Sequence, residues 1–162
     1  MVDASSTEFL ASLSRERDVF RQFLEILEGE QEALVHGKVD QLQDLAQTKS
    51  GKVLELVQLA EARNRFLTGN GLPADQAGIS AWLAALGTSP EAQEAGRIWD
   101  ELVAVAMAAR QLNETNGAMI NLQLQHNQQA LAVLMSAANQ ATLYGPDGQH
   151  LSGGGGRHFD KA

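Results

Sequence analysis

The sequence predicts an all-α protein: an antiparallel helical hairpin and a long third helix forming an elongated three-helix bundle or coiled coil, with a flexible C-terminal tail. Three observations carry that prediction. Apolar side chains recur at helical spacing through three long stretches. Hydrophobic residues make up 44% of the chain but aromatics only 5%, a profile suited to helices packing on helices. The strong breakers are grouped, at Gly37, at Gly69-Asn70-Gly71-Leu72-Pro73, at Gly87 to Pro90 and at Tyr144-Gly145-Pro146-Asp147-Gly148. They divide the chain into a helical domain over 1–144 and a tail over 145–162.

The first helix is expected from about Thr7 to His36. Leu13, Phe20, Leu27 and Leu34 repeat every seven residues, with Leu10 and Leu24 on the adjoining position. Gly37 supplies the stop. The second helix is expected over 40–68, opened by Asp40 as its cap with Gln43 at the capping-box position. Its rows are Val39, Ala46, Val53, Ala60 and Leu67, then Leu42 with Leu56 and Leu45 with Leu59. Gly51 sits inside it and costs about 1 kcal/mol relative to Ala. The short link makes the pair an antiparallel hairpin.

A short helix over 75–86 carries Ile79, Trp82, Leu83 and Leu86 as a cap on one end of the hairpin. Ser89-Pro90-Glu91 then starts the third long helix, expected over 90–140, with Pro90 where its missing amide does least harm. Ile98, Leu102, Val105, Ala109 and Leu112 form one stripe in its first half. Gly117 marks a place for a kink or a close contact. The glycine run Gly153 to Gly156 belongs to the tail, read as flexible.

From Gln111 to Pro146 the chain holds a single formal charge, Glu114, among amides such as Asn116, Asn121, Gln123, Gln125 and Gln129. Charge is expensive to bury unpaired, whereas amides and alkyl groups can be covered and can bond across an interface. On the helical projection Ile120, Leu124, Leu131, Leu134 and Met135 share one side, expected to pack on the hairpin. Leu122, His126, Gln129 and Val133 fall on the other, expected to face a partner protein. Self-association, as a homodimer, and full internal burial are the two alternatives. The pattern points to binding, not catalysis.

The formal net charge of −8 repels phosphate backbones and anionic headgroups, which argues against nucleic acid and membrane as general partners. With neither cysteine nor a basic-then-apolar leader in the sequence, the chain is expected to be cytosolic. His36, His126, His150 and His158 lack metal-ligand spacing. Glu28, Glu30 and Glu32 read as a solvated helix face. Ser50-Gly51-Lys52 lacks the upstream glycine and preceding strand of a phosphate loop. No catalytic residue, metal or cofactor is expected.

Several segments together resemble the FlgN-type flagellar export chaperone family over most of 1–148. They are Leu42-x-x-Leu45-Ala46-x-x-Lys49 with Leu56, Leu59 and Arg63; Leu112-Asn113-Glu114-Thr115-Asn116-Gly117 with Leu131; and Thr142-Leu143-Tyr144-Gly145-Pro146-Asp147-Gly148. The asparagine pair before Gly117 and the Tyr-Gly turn carry most of the likeness. The resemblance implies a small acidic cytosolic chaperone of hook-associated proteins of the FlgK and FlgL types. Such a chaperone blocks premature assembly and delivers its clients to the membrane export gate. It also implies that the C-terminal helical region binds the client and that the tyrosine segment docks at the gate, which by motif match assigns Tyr144. The other reading of the same stripes is a structural coiled-coil module that joins copies of itself.

Overall fold

The structure, a computed structural model, describes residues 3–143, with side chains over 3–140. Four helices follow in order: α1 Ala4–Val35, α2 Val39–Gly69, α3 Gln76–Leu86 and α4 Pro90–Leu143. They divide into two compact units, Met1–Met119 and Ile120–Ala162. The first is a helical bundle built around α1.

Local chemistry sets most of the boundaries. Asp3 caps α1, its carboxylate accepting from the Ser6 amide at 2.7 Å, so the helix opens three residues before Thr7. This hydrogen bond holds the Asp3 carboxyl below its ordinary range. Both long helices of the hairpin end through a left-handed glycine. Gly37 and Gly71 have φ of 65° and 72°, and the amides of Lys38 and Leu72 reach back to the carbonyls of Ala33 and Leu67, each at 2.9 Å. Asp40 is not the cap of α2. The helix starts one residue earlier, with Lys38 at the cap and no side-chain bond there, and Asp40 sits in the first turn, where a carboxylate still opposes the positive helix end. Asp75 caps α3 through the Gly78 amide, and the Ser89 hydroxyl caps α4 through the Ala92 amide.

Gly78 has a packing reason. A Cβ there would lie 1.7 Å from the Pro73 carbonyl oxygen, because the segment leaving α2 crosses the first turn of α3.

The core forms where four helices meet. Phe9 and Leu13 of α1, Leu67 of α2, Ile79 and Trp82 of α3, and Ala95, Ile98 and Leu102 of α4 make one buried cluster. Phe9 stacks on Phe66 at 3.8 Å and meets Trp82 edge-on at 4.8 Å. A second cluster, Phe23, Leu27 and Ala109, continues along α1 and α4. An ionic seam joins these two helices: Glu101 accepts from Arg17 at 2.9 Å, Arg21 at 3.1 Å and Arg97 at 2.6 Å.

Two sequence expectations fail inside this unit. The row Phe9, Glu16, Phe23 and Glu30 is buried beside the expected leucine row, so α1 is covered more widely than its leucines imply. Glu30 therefore does not lie on a solvated face. Conversely Val39, Ala46 and Val53 of α2 are exposed, and Leu67 is the one buried residue of that helix. The side of α2 facing α1 is set by Leu42, Leu45, Leu56 and Leu59, all half-buried.

The buried glutamates are paired. Glu16 is 2% exposed and accepts from Arg63 of α2. Loss of hydration raises its pKa, and the Arg63 guanidinium opposes that rise without overcoming it. Glu30 accepts from Lys49 at 3.2 and 3.3 Å.

Candidate protein-binding helix

The second unit contains the C-terminal part of α4. Residues 118–143 contain neither glycine nor proline and are rich in Leu, Gln, Ala and Met, all strong helix formers. Every side chain from Ile120 to Gln140 is exposed. Leu122 is 56% and Val133 69% exposed, and His126 and Gln129 lie between them at the i, i+4, i+7, i+11 spacing of one helical row.

The row expected to be covered by the hairpin is exposed as well. Ile120, Leu124, Leu131, Leu134 and Met135 all present large apolar surface. Seven large aliphatic or thioether side chains thus stand in solvent on 21 helical residues, with no Asp, Glu, Lys or Arg among them. Monomeric proteins rarely expose apolar groups at this density unless a partner covers them. The expectation that this row is buried is therefore not met. Charge is absent from every side of this segment, and that signal was legible in the sequence.

The last buried position before this helix is Asn116, which is fully buried. Its Nδ2 donates to the Leu27 carbonyl and to Glu30 Oε1, each at 2.9 Å. Because Glu30 also accepts from Lys49, one polar cluster ties α4, α1 and α2 together. A buried amide with two specific acceptors fixes helix register, since a shift by one residue would strand all three groups. Asn116 Oδ1 has no donor among the described residues. Gly117 follows within an unbroken helix, and a Cβ there would touch nothing within 4 Å, so it marks no close contact.

The arrangement suits binding. The 120–140 segment offers amide donors and acceptors with apolar side chains, and His126 is its one titratable group. Among the described residues no group of three or more His, Asp or Glu is placed to hold a metal, and no helix is long and apolar enough to cross a membrane. Tyr144 and the tail 145–162 lie outside the described residues.

Comparison with known proteins adds an independent finding. The family model described as FlgN protein matches residues 1–152. The flagella synthesis protein FlgN of Yersinia enterocolitica is 26% identical over 144 residues, a stretch covering 88% of each chain. No solved structure matches.

Proposed function

This chain belongs to the FlgN family, and from that premise we propose that it binds hook-associated proteins of the FlgK and FlgL types in the cytoplasm, prevents their premature assembly and delivers them to the export gate. Family membership itself implies the coarser role, a non-enzymatic flagellar export chaperone. The observation that supports the finer reading is the exposed, uncharged helix of 120–140.

Junction subunits kept from assembling present helix-forming ends whose apolar sides need temporary cover. An amphipathic client helix can lay its apolar side on Leu122 and Val133, while His126 and Gln129 exchange hydrogen bonds at the margin. Ordering the client end costs conformational entropy, so the complex is of moderate affinity and releases its cargo. Tyr144, by its place in the Tyr-Gly turn, is the proposed gate anchor: a large apolar ring, one hydroxyl and few rotors.

Co-purification with a FlgK-type or FlgL-type protein tests this directly. Wild type should form a discrete complex, and Leu122→Asp with Val133→Asp should abolish it without loss of helicity. A complex indifferent to both substitutions overturns the surface assignment. Tyr144→Ala should leave that complex intact and block export; loss of client binding instead would move Tyr144 into the client surface.

A further inference from the structure

The outer side of α2 carries a regular row. Val39, Gln43, Ala46, Ser50, Val53 and Val57 follow one another at alternating steps of four and three residues, and all six are exposed. Alternation of this kind is the seam of one helix lying along another. The row is uncharged and spans about 27 Å. Its middle is small, because Ala46 and Ser50 let a second helix axis come close. Leu54, exposed beside the row, lines a groove of about 430 Å³ with Gly51, Gln58 and Leu59, which leaves room for a side chain of an incoming helix.

The charges around this row are sorted by side. On the flank toward α1, Lys49 and Arg63 are each held by a buried glutamate, Glu30 and Glu16, and Lys52 is held by Glu55. On the open flank Asp40 and Glu61 stand at the two ends, each a heptad step from the uncharged Gln47 and Leu54, with Asp44 one turn from Asp40. These three acids have no ion pair among the described residues. Lys38 and Arg65 lie outside the ends of the row.

Flanking charges select the partner of a helical seam. A second α2 laid antiparallel would set Asp40 against Glu61, and an anionic membrane would meet the same acids. Like charge opposes both. A helix with an apolar seam and a basic flank meets neither obstacle, and the chain's net charge of −8 draws it in.

We propose that the outer side of α2 docks one amphipathic helix of a partner protein, about 22 residues long, apolar along its seam and basic on the flank that meets Asp40 and Glu61. This surface is separate in sequence from the client surface at 120–140, and it stands whether or not a client binds there.

Two synthetic helical peptides of about 24 residues test it by fluorescence anisotropy. Both carry Leu and Ala at alternating steps of three and four; one has Lys at the flank positions, the other Glu. They are titrated with the full chain carrying Leu122→Asp and Val133→Asp, so that 120–140 does not compete. The Lys peptide should bind saturably and the Glu peptide at least tenfold more weakly. Adding Val53→Asp or Val57→Asp should weaken the Lys peptide tenfold or more, because each places an unpaired charge in the seam. Adding Asp40→Lys with Glu61→Lys should invert the preference between the peptides. All four sites are exposed in the single chain, so each variant should fold, as circular dichroism would verify. Equal binding of the two peptides, or binding indifferent to the seam substitutions, overturns the proposal. Seam substitutions that leave peptide binding unchanged and alter the chain's own sedimentation assign the row to a second copy and overturn it as well. So does flotation of the chain with phosphatidylglycerol vesicles that Val57→Asp abolishes, which would make the occupant a lipid surface.

Discussion

The two halves of α4 share one helical period and differ in everything that period is used for. Between Ala92 and Asn116 one stripe is buried, and Glu94, Arg97, Asp100, Glu101, Arg110 and Glu114 punctuate the other sides. Glu94 is held below its ordinary range by the hydrogen bond from Arg97, the pattern of a solvated helix flank. From Ile120 to Gln140 the apolar residues are no sparser, yet every side chain is exposed and none is formally charged. Apolar spacing says which side of a helix seeks cover. Charge on the remaining sides says whether the chain has finished covering it.

That contrast is broken most directly by truncation in the first half. Leu102 is nearly fully buried, and Leu102→Ala should cost about 2–5 kcal/mol in urea unfolding of the monomer. The matched change Leu131→Ala, on an exposed leucine, should stay within about 0.5 kcal/mol. Equal costs would mean that 120–140 is already covered within the single chain, and the binding reading would fall with that result.

Asn116 sharpens the boundary between the halves. Asn116→Ala removes the donor shared by Leu27 and Glu30 and should cost about 1–3 kcal/mol. Hydrogen exchange should show the loosening around Leu27 and Glu30 and little change in 120–140.

A milder version of the same asymmetry exists on α2, whose outer side is open. A Cβ at Gly51 would meet nothing within 4 Å. Gly51→Ala should therefore stabilise the fold by about 0.5–1 kcal/mol, read as a raised thermal midpoint.

The smallest effect is a change of slope with pH. The Glu16 carboxyl has a folded pKa above its unfolded one, mainly through burial and despite Arg63. The folded state therefore binds that proton more tightly, and ionising Glu16 costs stability. The cost is absent below the unfolded value, grows as pH rises toward the raised folded value, and is complete above it. Glu16→Gln keeps an acceptor for Arg63 and removes the titration, so its stability relative to wild type should rise between acid and neutral pH. A relative stability that falls over that range would show that Arg63, and not burial, governs the group.

Much of this molecule is legible in its sequence. The helical stripes at Leu13, Leu27, Ile98, Leu102 and Ala109 are buried, α4 starts at Pro90 within Ser89-Pro90-Glu91, and α3 seats Ile79 and Trp82 in the core. What escaped was polar. Glu16 and Glu30 lie in a heptad row with Phe9 and Phe23, but a glutamate in such a row reads as solvent-facing unless its cation is known. Arg63 and Lys49 stand on another helix, 47 and 19 residues away. The outward turn of Val39, Ala46 and Val53 escaped for a related reason. α2 has several apolar rows, and sequence spacing cannot say which of them meet α1.

By itself the sequence determined the helices and their stops, and it set apart a late helical segment free of charge, because backbone propensity, capping and the cost of burying charge are local properties of a residue and its near neighbours. Only the tertiary structure decided which apolar rows are covered, which acids are buried and which amide locks α4 to α1. Those outcomes depend on side chains brought together from distant parts of the chain, where burial and pairing are settled jointly.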